Sequence, residues 1–198
     1  MTPTKTRKVL GVGILGPAFL LWSLKLAIRK LDAWDWFVTR MIPRWPVPAV
    51  VAASRLGDGW LYALFILYLI HTDQQELAGH VAACVVIAWG GSAAMKLTFR
   101  RRRPSEQLME RACGPVWHRD SVVGKAERKA LLRYECLAAR FTFPSQHSAC
   151  AVAFALSCHP SWWPFAACVC LSRVLIGAHF VGDVAAGIAV GIAAGVWG

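Results

Sequence analysis

The chain has 198 residues, 57% of them hydrophobic, with ten Trp, a mean hydropathy of +0.45 and a formal net charge of +11. So apolar a composition at this length excludes an ordinary soluble domain and leaves room for one domain only. It predicts an all-α, polytopic membrane protein of about six transmembrane helices, with 1-198 as a single integral-membrane domain.

The first predicted span, Val9 to Ile28, follows Lys5, Arg7 and Lys8. It is longer than a signal-peptide core and has no clear small-residue cleavage site, so residues 1-30 read as a retained span. Residues 31-54 carry Trp34, Trp36 and Trp45 among Pro43, Pro46 and Pro48, a composition that suits the headgroup level of a bilayer. Further spans are expected at Arg55 to Ile70 and Leu77 to Lys96, then at Pro144 to Cys158, Pro160 to Ile176 and Phe180 to Trp197. Several are short for a bilayer core and would meet a thinned interface or extend through flanking residues.

Between the third and fourth spans, Arg100 to Arg140 holds eleven Lys or Arg against five Asp or Glu. Its natural partners are an anionic lipid surface or an anionic substrate. Nucleic acid fits less well, because the loop carries no recognisable nucleic-acid module and both ends are tethered to membrane. Val123 to Arg140 mixes leucines with basic residues and reads as a basic amphipathic helix at the interface, or equally as a solvated one. Cys113 and Cys136 are the only pair in this loop and would form a disulfide only in an oxidising compartment. Cys84, Cys150, Cys158, Cys168 and Cys170 lie in or beside apolar segments and read as small hydrophobes, and no zinc spacing appears.

Three polar clusters interrupt the apolar pattern. The first is Lys96-Leu97-Thr98-Phe99-Arg100-Arg101-Arg102-Arg103-Pro104. Lys96 and Arg103 are seven apart, two turns on one face if the helix runs on to the proline, and an ammonium with a guanidinium suits a phosphate dianion. Alone, the arginine run would serve equally as an orientation anchor at a span end. The second is Phe143-Pro144-Ser145-Gln146-His147-Ser148, a helix start whose free N–H groups and dipole favour an anion, with His147 placed to protonate a leaving oxygen; its bland reading is a cap with an interfacial histidine. The third is Ser172 to Asp183. Here Arg173 closes the fifth span, Gly177 permits a tight turn and His179 opens the sixth, with Asp183 one turn below it. A carboxylate there fixes the ring tautomer and frees the other nitrogen as nucleophile or base, a costly set of polar groups to hold at membrane depth without a use. Alternating crossings place Lys96, His147, Arg173 and His179 on one membrane side, so the site is expected at one membrane face.

In these residues the chain resembles the type 2 phosphatidic acid phosphatase family, related to vanadium haloperoxidases and bacterial class A acid phosphatases. The family pattern is Lys, six residues, Arg-Pro; Pro-Ser-Gly-His; and Ser-Arg, five residues, His, three residues, Asp. The first and third segments match in full, and the second departs only at Gln146. The resemblance implies that His179 attacks phosphorus to form a phosphohistidine with Asp183 orienting it, and that His147 protonates the leaving alcohol and then activates water. It implies that Lys96, Arg103, Ser145, Gln146 (through its backbone N–H) and Arg173 hold the phosphoryl oxygens. Neither metal nor cofactor is expected, because the cations are built in. Gln146 in place of glycine raises weakened activity or a shifted substrate as expectations.

The expected activity is hydrolysis of a lipid phosphate monoester or diphosphate, of phosphatidate, phosphatidylglycerol phosphate or polyprenyl diphosphate type. The alternatives are a lipid-linked phosphotransferase and a catalytically silent protein that binds lipid phosphate. Two orientation arguments oppose each other. Positive-inside logic puts the basic, active-site side in the cytoplasm, whereas the family implies an extracytoplasmic site in a bacterial inner (cell) membrane, and the latter is taken as the expectation.

Overall fold

The structure, a computed structural model, describes residues 48–101, 103 and 141–198, with Ser23, Lys25, Leu26, Asp35, Phe37 and Val38. The chain divides into two compact units, Met1–Trp34 and Asp35–Gly198. Ser23, Lys25 and Leu26 of the first unit are helical. Most of the first predicted span, the interfacial tryptophans, the predicted helix at Val123 to Arg140, Cys113 and Cys136 lie outside the described residues.

In the second unit Asp35, Phe37 and Val38 are helical, and six further α-helices and one 3-10 turn follow among the described residues: α1 (Pro48–Arg55), α2 (Gly59–His71), α3 (Gln75–Phe99), α4 (Gln146–Cys158), the turn Pro160–Trp162, α5 (Trp163–Leu175) and α6 (Val181–Trp197). The all-α expectation holds for these residues, and each predicted span they cover is helical. Among the described residues, only α3 is by itself long and apolar enough to cross a membrane, so six spans are not established. α1 and α2 pass that test as a pair bent by 54°, and α6 is apolar but shorter. α4 and α5, at 13 residues each, are only about 20 Å long against a hydrocarbon core of about 30 Å. Apolar surface nonetheless faces outward: only 28% of the most apolar window of α3 is buried, and Leu67, Val86, Trp89 and Leu171 are each more than half exposed. A helix in the core of a soluble protein would show the reverse.

α4 is the central helix and packs against α3, α5 and α6. Its partner α6 carries glycine every fourth residue, at 187, 191 and 195. A Cβ on Gly191 would lie 2.8 Å from the Cβ of Val152, and one on Gly195 would lie 2.8 Å from that of Leu156. The stripe therefore lets two backbones approach closely, as small residues at four-residue spacing do between membrane helices. On the opposite flank Phe65 and Trp162 pack on Phe154 at ring-centroid distances of 5.0 and 5.1 Å, and Tyr62 at 5.4 Å. That cluster fixes α2 against α4, which sets the turn before α2 opposite the start of α4.

Candidate active site

The turn between α5 and α6 is built around one carbonyl. Arg173, in the last turn of α5, accepts the backbone N–H groups of Ala178 and His179 on its own carbonyl oxygen at 3.1 and 3.2 Å. Gly177 makes the return possible at φ 72°, where a side chain would be strained. Phe180 then caps α6 in extended conformation, and the Asp183 carboxylate accepts the Phe180 N–H at 2.9 Å.

This corrects one expectation. His179 does not open the helix with Asp183 one turn below it; the helix starts at Val181, and His179 Nδ1 stands 3.7 Å from Asp183 Oδ2. That separation is too long for a hydrogen bond. The carboxylate is committed to satisfying an orphan N–H at the helix start, and the Thr142 hydroxyl fills the gap. It lies 2.9 Å from Nδ1 and donates to Oδ2 at 2.5 Å. His179, Thr142 and Asp183 are all essentially fully buried.

Lys96 is buried in the last turn of α3, but the helix does not continue to Pro104 as the two-turn spacing assumed. It ends at Phe99, with Arg100 in the left-handed region at φ 50° and ψ 37° and its N–H on Lys96 O at 3.0 Å, a left-handed closure of the helix end. Beyond it, Arg101 and Arg103 are both buried while Arg100 is exposed. Arg103 thus comes inward near Lys96, whose charge it opposes, from beyond the helix end and not from a shared helical face. Arg101 bridges two carboxylates, reaching Asp183 Oδ1 at 2.6 Å and Asp35 Oδ2 at 2.9 Å, with its guanidinium 4.4 Å over the Phe180 ring. Asp35 also accepts the Gly182 N–H at 2.7 Å, and a Cβ at Gly182 would collide with that carboxylate.

Ser145 caps α4, accepting from Ser148 N–H at 3.5 Å and Ser148 O–H at 2.9 Å. Its own N–H is bound to Asp183 O at 2.8 Å, which ties the starts of α4 and α6 together. Gln146 is an ordinary helical residue, not among those with positive φ, and its side-chain amide donates to Trp89 O on α3 at 3.3 Å. The unusual dihedral that a glycine would have served is therefore not used here. His147 Nε2 pairs with Asp58 Oδ1 at 3.0 Å, across from the bend between α1 and α2. Both line a cavity of about 250 Å³ with Gly57, Tyr62, Val85, Val86, Trp89, Gln146 and Cys150. Arg173 donates to Ser54 Oγ of α1.

The three clusters meet at His179. Burial, followed by the positive charges of Arg173, Arg103 and Lys96 and then His147, holds its imidazole well below the usual range. The ring is thus neutral at physiological pH, with cations on several sides. Sequence reasoning missed four residues at this site. Asp58 carried a signal, a carboxylate between two glycines in an apolar run. Arg101 was hidden in a run of identical residues, Asp35 lay in a segment read as interfacial, and Thr142 fell outside every motif spacing.

Residues 76–198 match the sequence model of the PAP2 superfamily, and the chain belongs to that family. Comparison with curated proteins and with solved structures finds no significant match. Family membership supports a phosphatase-type activity, that of a phosphoric ester hydrolase, and together with the outward-facing apolar helix α3 it points to a membrane protein.

Proposed function

We propose that this protein is a six-span membrane lipid phosphatase that hydrolyses a lipid phosphate monoester or diphosphate through a phosphohistidine on His179. The observation that carries this reading is a fully buried, neutral imidazole braced through Thr142 to Asp183 and surrounded by Lys96, Arg103, Arg173 and His147.

Lys96, Arg103 and Arg173 neutralise the phosphoryl oxygens, with the hydroxyl of Ser145 and the backbone N–H groups of Gln146 and His147 at the start of α4. Nε2 of His179 attacks phosphorus in line as the bond to the leaving oxygen breaks, its electron pair passing to that oxygen. His147, its Nε2 on Asp58 Oδ1, takes the proton that a phosphate monoanion brings and delivers it from Nδ1 to the leaving alcohol. It then takes a proton from water, whose oxygen attacks phosphorus and returns the electron pair to His179. No step calls for a metal. The apolar cavity beside His147 suits the first carbons of a lipid leaving group, and a site among exposed apolar helices suits a substrate already in the bilayer. We take the site to lie on the extracytoplasmic side of a bacterial cell membrane, the orientation that the family resemblance implies, with the basic stretch after α3 available to anionic headgroups.

The test is phosphate release from phosphatidate, phosphatidylglycerol phosphate and polyprenyl diphosphate by purified protein in detergent with chelator, beside His179→Ala. Release that survives chelation and vanishes in the variant is expected. Release that needs added metal, or that persists in the variant, contradicts the mechanism. No release from any lipid overturns hydrolysis and favours transfer to another acceptor or lipid-phosphate binding alone.

A further inference from the structure

Thr142 lies outside all three motifs, yet it is 0% exposed and its hydroxyl makes both contacts that link the histidine to the aspartate. Counting protons fixes their direction. Asp183 Oδ2 accepts from the Phe180 N–H and Oδ1 from Arg101, as an ionised carboxylate does, so the single hydroxyl proton of Thr142 goes to Oδ2. The contact between Thr142 Oγ1 and Nδ1 must then be filled by a proton on Nδ1, which leaves the lone pair on Nε2. A direct contact cannot substitute, because Nδ1 and Oδ2 are 3.7 Å apart.

We propose that Thr142 is the positioning residue of this site, a hydroxyl bridge that sets the tautomer of His179 and passes the Asp183 charge to it. The proposal rests on the phosphatase reading above. As Nε2 forms its bond to phosphorus and the leaving oxygen takes the electron pair of the broken bond, the ring becomes cationic. Its Nδ1–H then strengthens its bond to Thr142 Oγ1, and the hydroxyl strengthens its own to Asp183, with both protons staying where they began. The bridge is held in place twice. The Thr142 N–H donates to Arg101 O at 2.9 Å, while the Arg101 side chain grips the same Asp183 that receives the hydroxyl. A β-branched residue, stiff at χ1, keeps the hydroxyl in line without further partners.

The experiment compares Thr142→Val and Thr142→Ser with wild type in steady-state hydrolysis, in inhibition by orthovanadate as a phosphate mimic, and in ¹⁵N-histidine NMR with His179 assigned by its loss in His179→Gln. In Thr142→Val, kcat falls about 10- to 100-fold, the loss of one or two charge-assisted hydrogen bonds. KM and vanadate inhibition stay within about threefold, because no phosphate contact has been removed. Thr142→Ser recovers kcat to within about threefold. NMR shows Nδ1–H in wild type and Thr142→Ser, and its loss in Thr142→Val. Wild-type kcat in a folded Thr142→Val overturns the proposal, as does Nε2–H at His179 in the wild type, a reading that needs no Thr142 variant to fold. Absence of turnover in the wild type strikes the phosphatase reading alone, since the tautomer still decides whether the bridge exists.

Discussion

His179 and His147 face one site from surroundings of opposite kinds. The His179 side chain is 1% exposed, fixed through a hydroxyl to a carboxylate that is itself held by an arginine, a backbone N–H and the tie between two helix starts. The His147 side chain is 27% exposed, paired with an Asp58 that is 39% exposed, and it borders an apolar cavity. On the proposed mechanism, the difference teaches how one pocket would serve two roles. A nucleophile gains from a fixed tautomer, a neutral ring and no water, whereas a proton donor and acceptor must reach a leaving group and then a water molecule. Rigidity and burial on one side, and openness on the other, follow that division.

The sharpest break in the comparison comes from removing each ring. His179→Ala is expected to lower phosphate release by at least about 10⁴-fold, since no other group can take its place. His147→Asn should cost about 10²- to 10⁴-fold, the usual worth of general acid–base catalysis, and Asp58→Asn less than that; kcat measurements on one lipid phosphate order the three. On the buried side, Asp35→Ala removes one carboxylate partner of Arg101 and leaves the Gly182 N–H without the carboxylate that accepts it. A loss of about 3 kcal/mol in denaturant or thermal unfolding is expected, with reduced activity. His179 also leaves a pH signature in stability. Its folded pKa is depressed, so below about pH 6.5 the unfolded chain takes up a proton that the native site refuses. This ring therefore contributes a fall in stability with decreasing pH of up to about 1.4 kcal/mol per unit, and His179→Gln removes that contribution from the unfolding profile. Gln146→Gly should be the mildest, changing kcat by less than about threefold, because the backbone is already helical there and the side chain turns to Trp89 O.

The part of the site legible in sequence was the part written in fixed local spacing. Lys96, Arg103, the Pro144 to His147 start of α4 and the Arg173, His179 and Asp183 turn are identifiable because helix ends repeat every few residues, and the structure brings their side chains into one place. The helices themselves were legible from apolar run length. What escaped was long-range pairing. Asp35 and Arg101 are 66 positions apart, Thr142 and Asp183 are 41 apart, and His147 and Asp58 are 89 apart, so no periodicity connects them. The helix end at Phe99 escaped for another reason. A run of four arginines continues a helical pattern equally well, whereas here the helix closes at Arg100 and Arg101 and Arg103 are buried beyond it. The α6 glycines every fourth residue were available in the sequence, but their meaning depends on the neighbour they admit.

The most direct test of the division of labour is to trap the intermediate. Purified protein is reacted with a ³²P-labelled aryl phosphate, whose leaving group departs without protonation, and quenched in alkali, for the wild type, His147→Ala and His179→Ala. The account predicts label on a peptide containing His179, more of it in His147→Ala because water is no longer activated, and none in His179→Ala. Label on a peptide containing His147, or turnover in the wild type with no labelled histidine in any of the three, would contradict it.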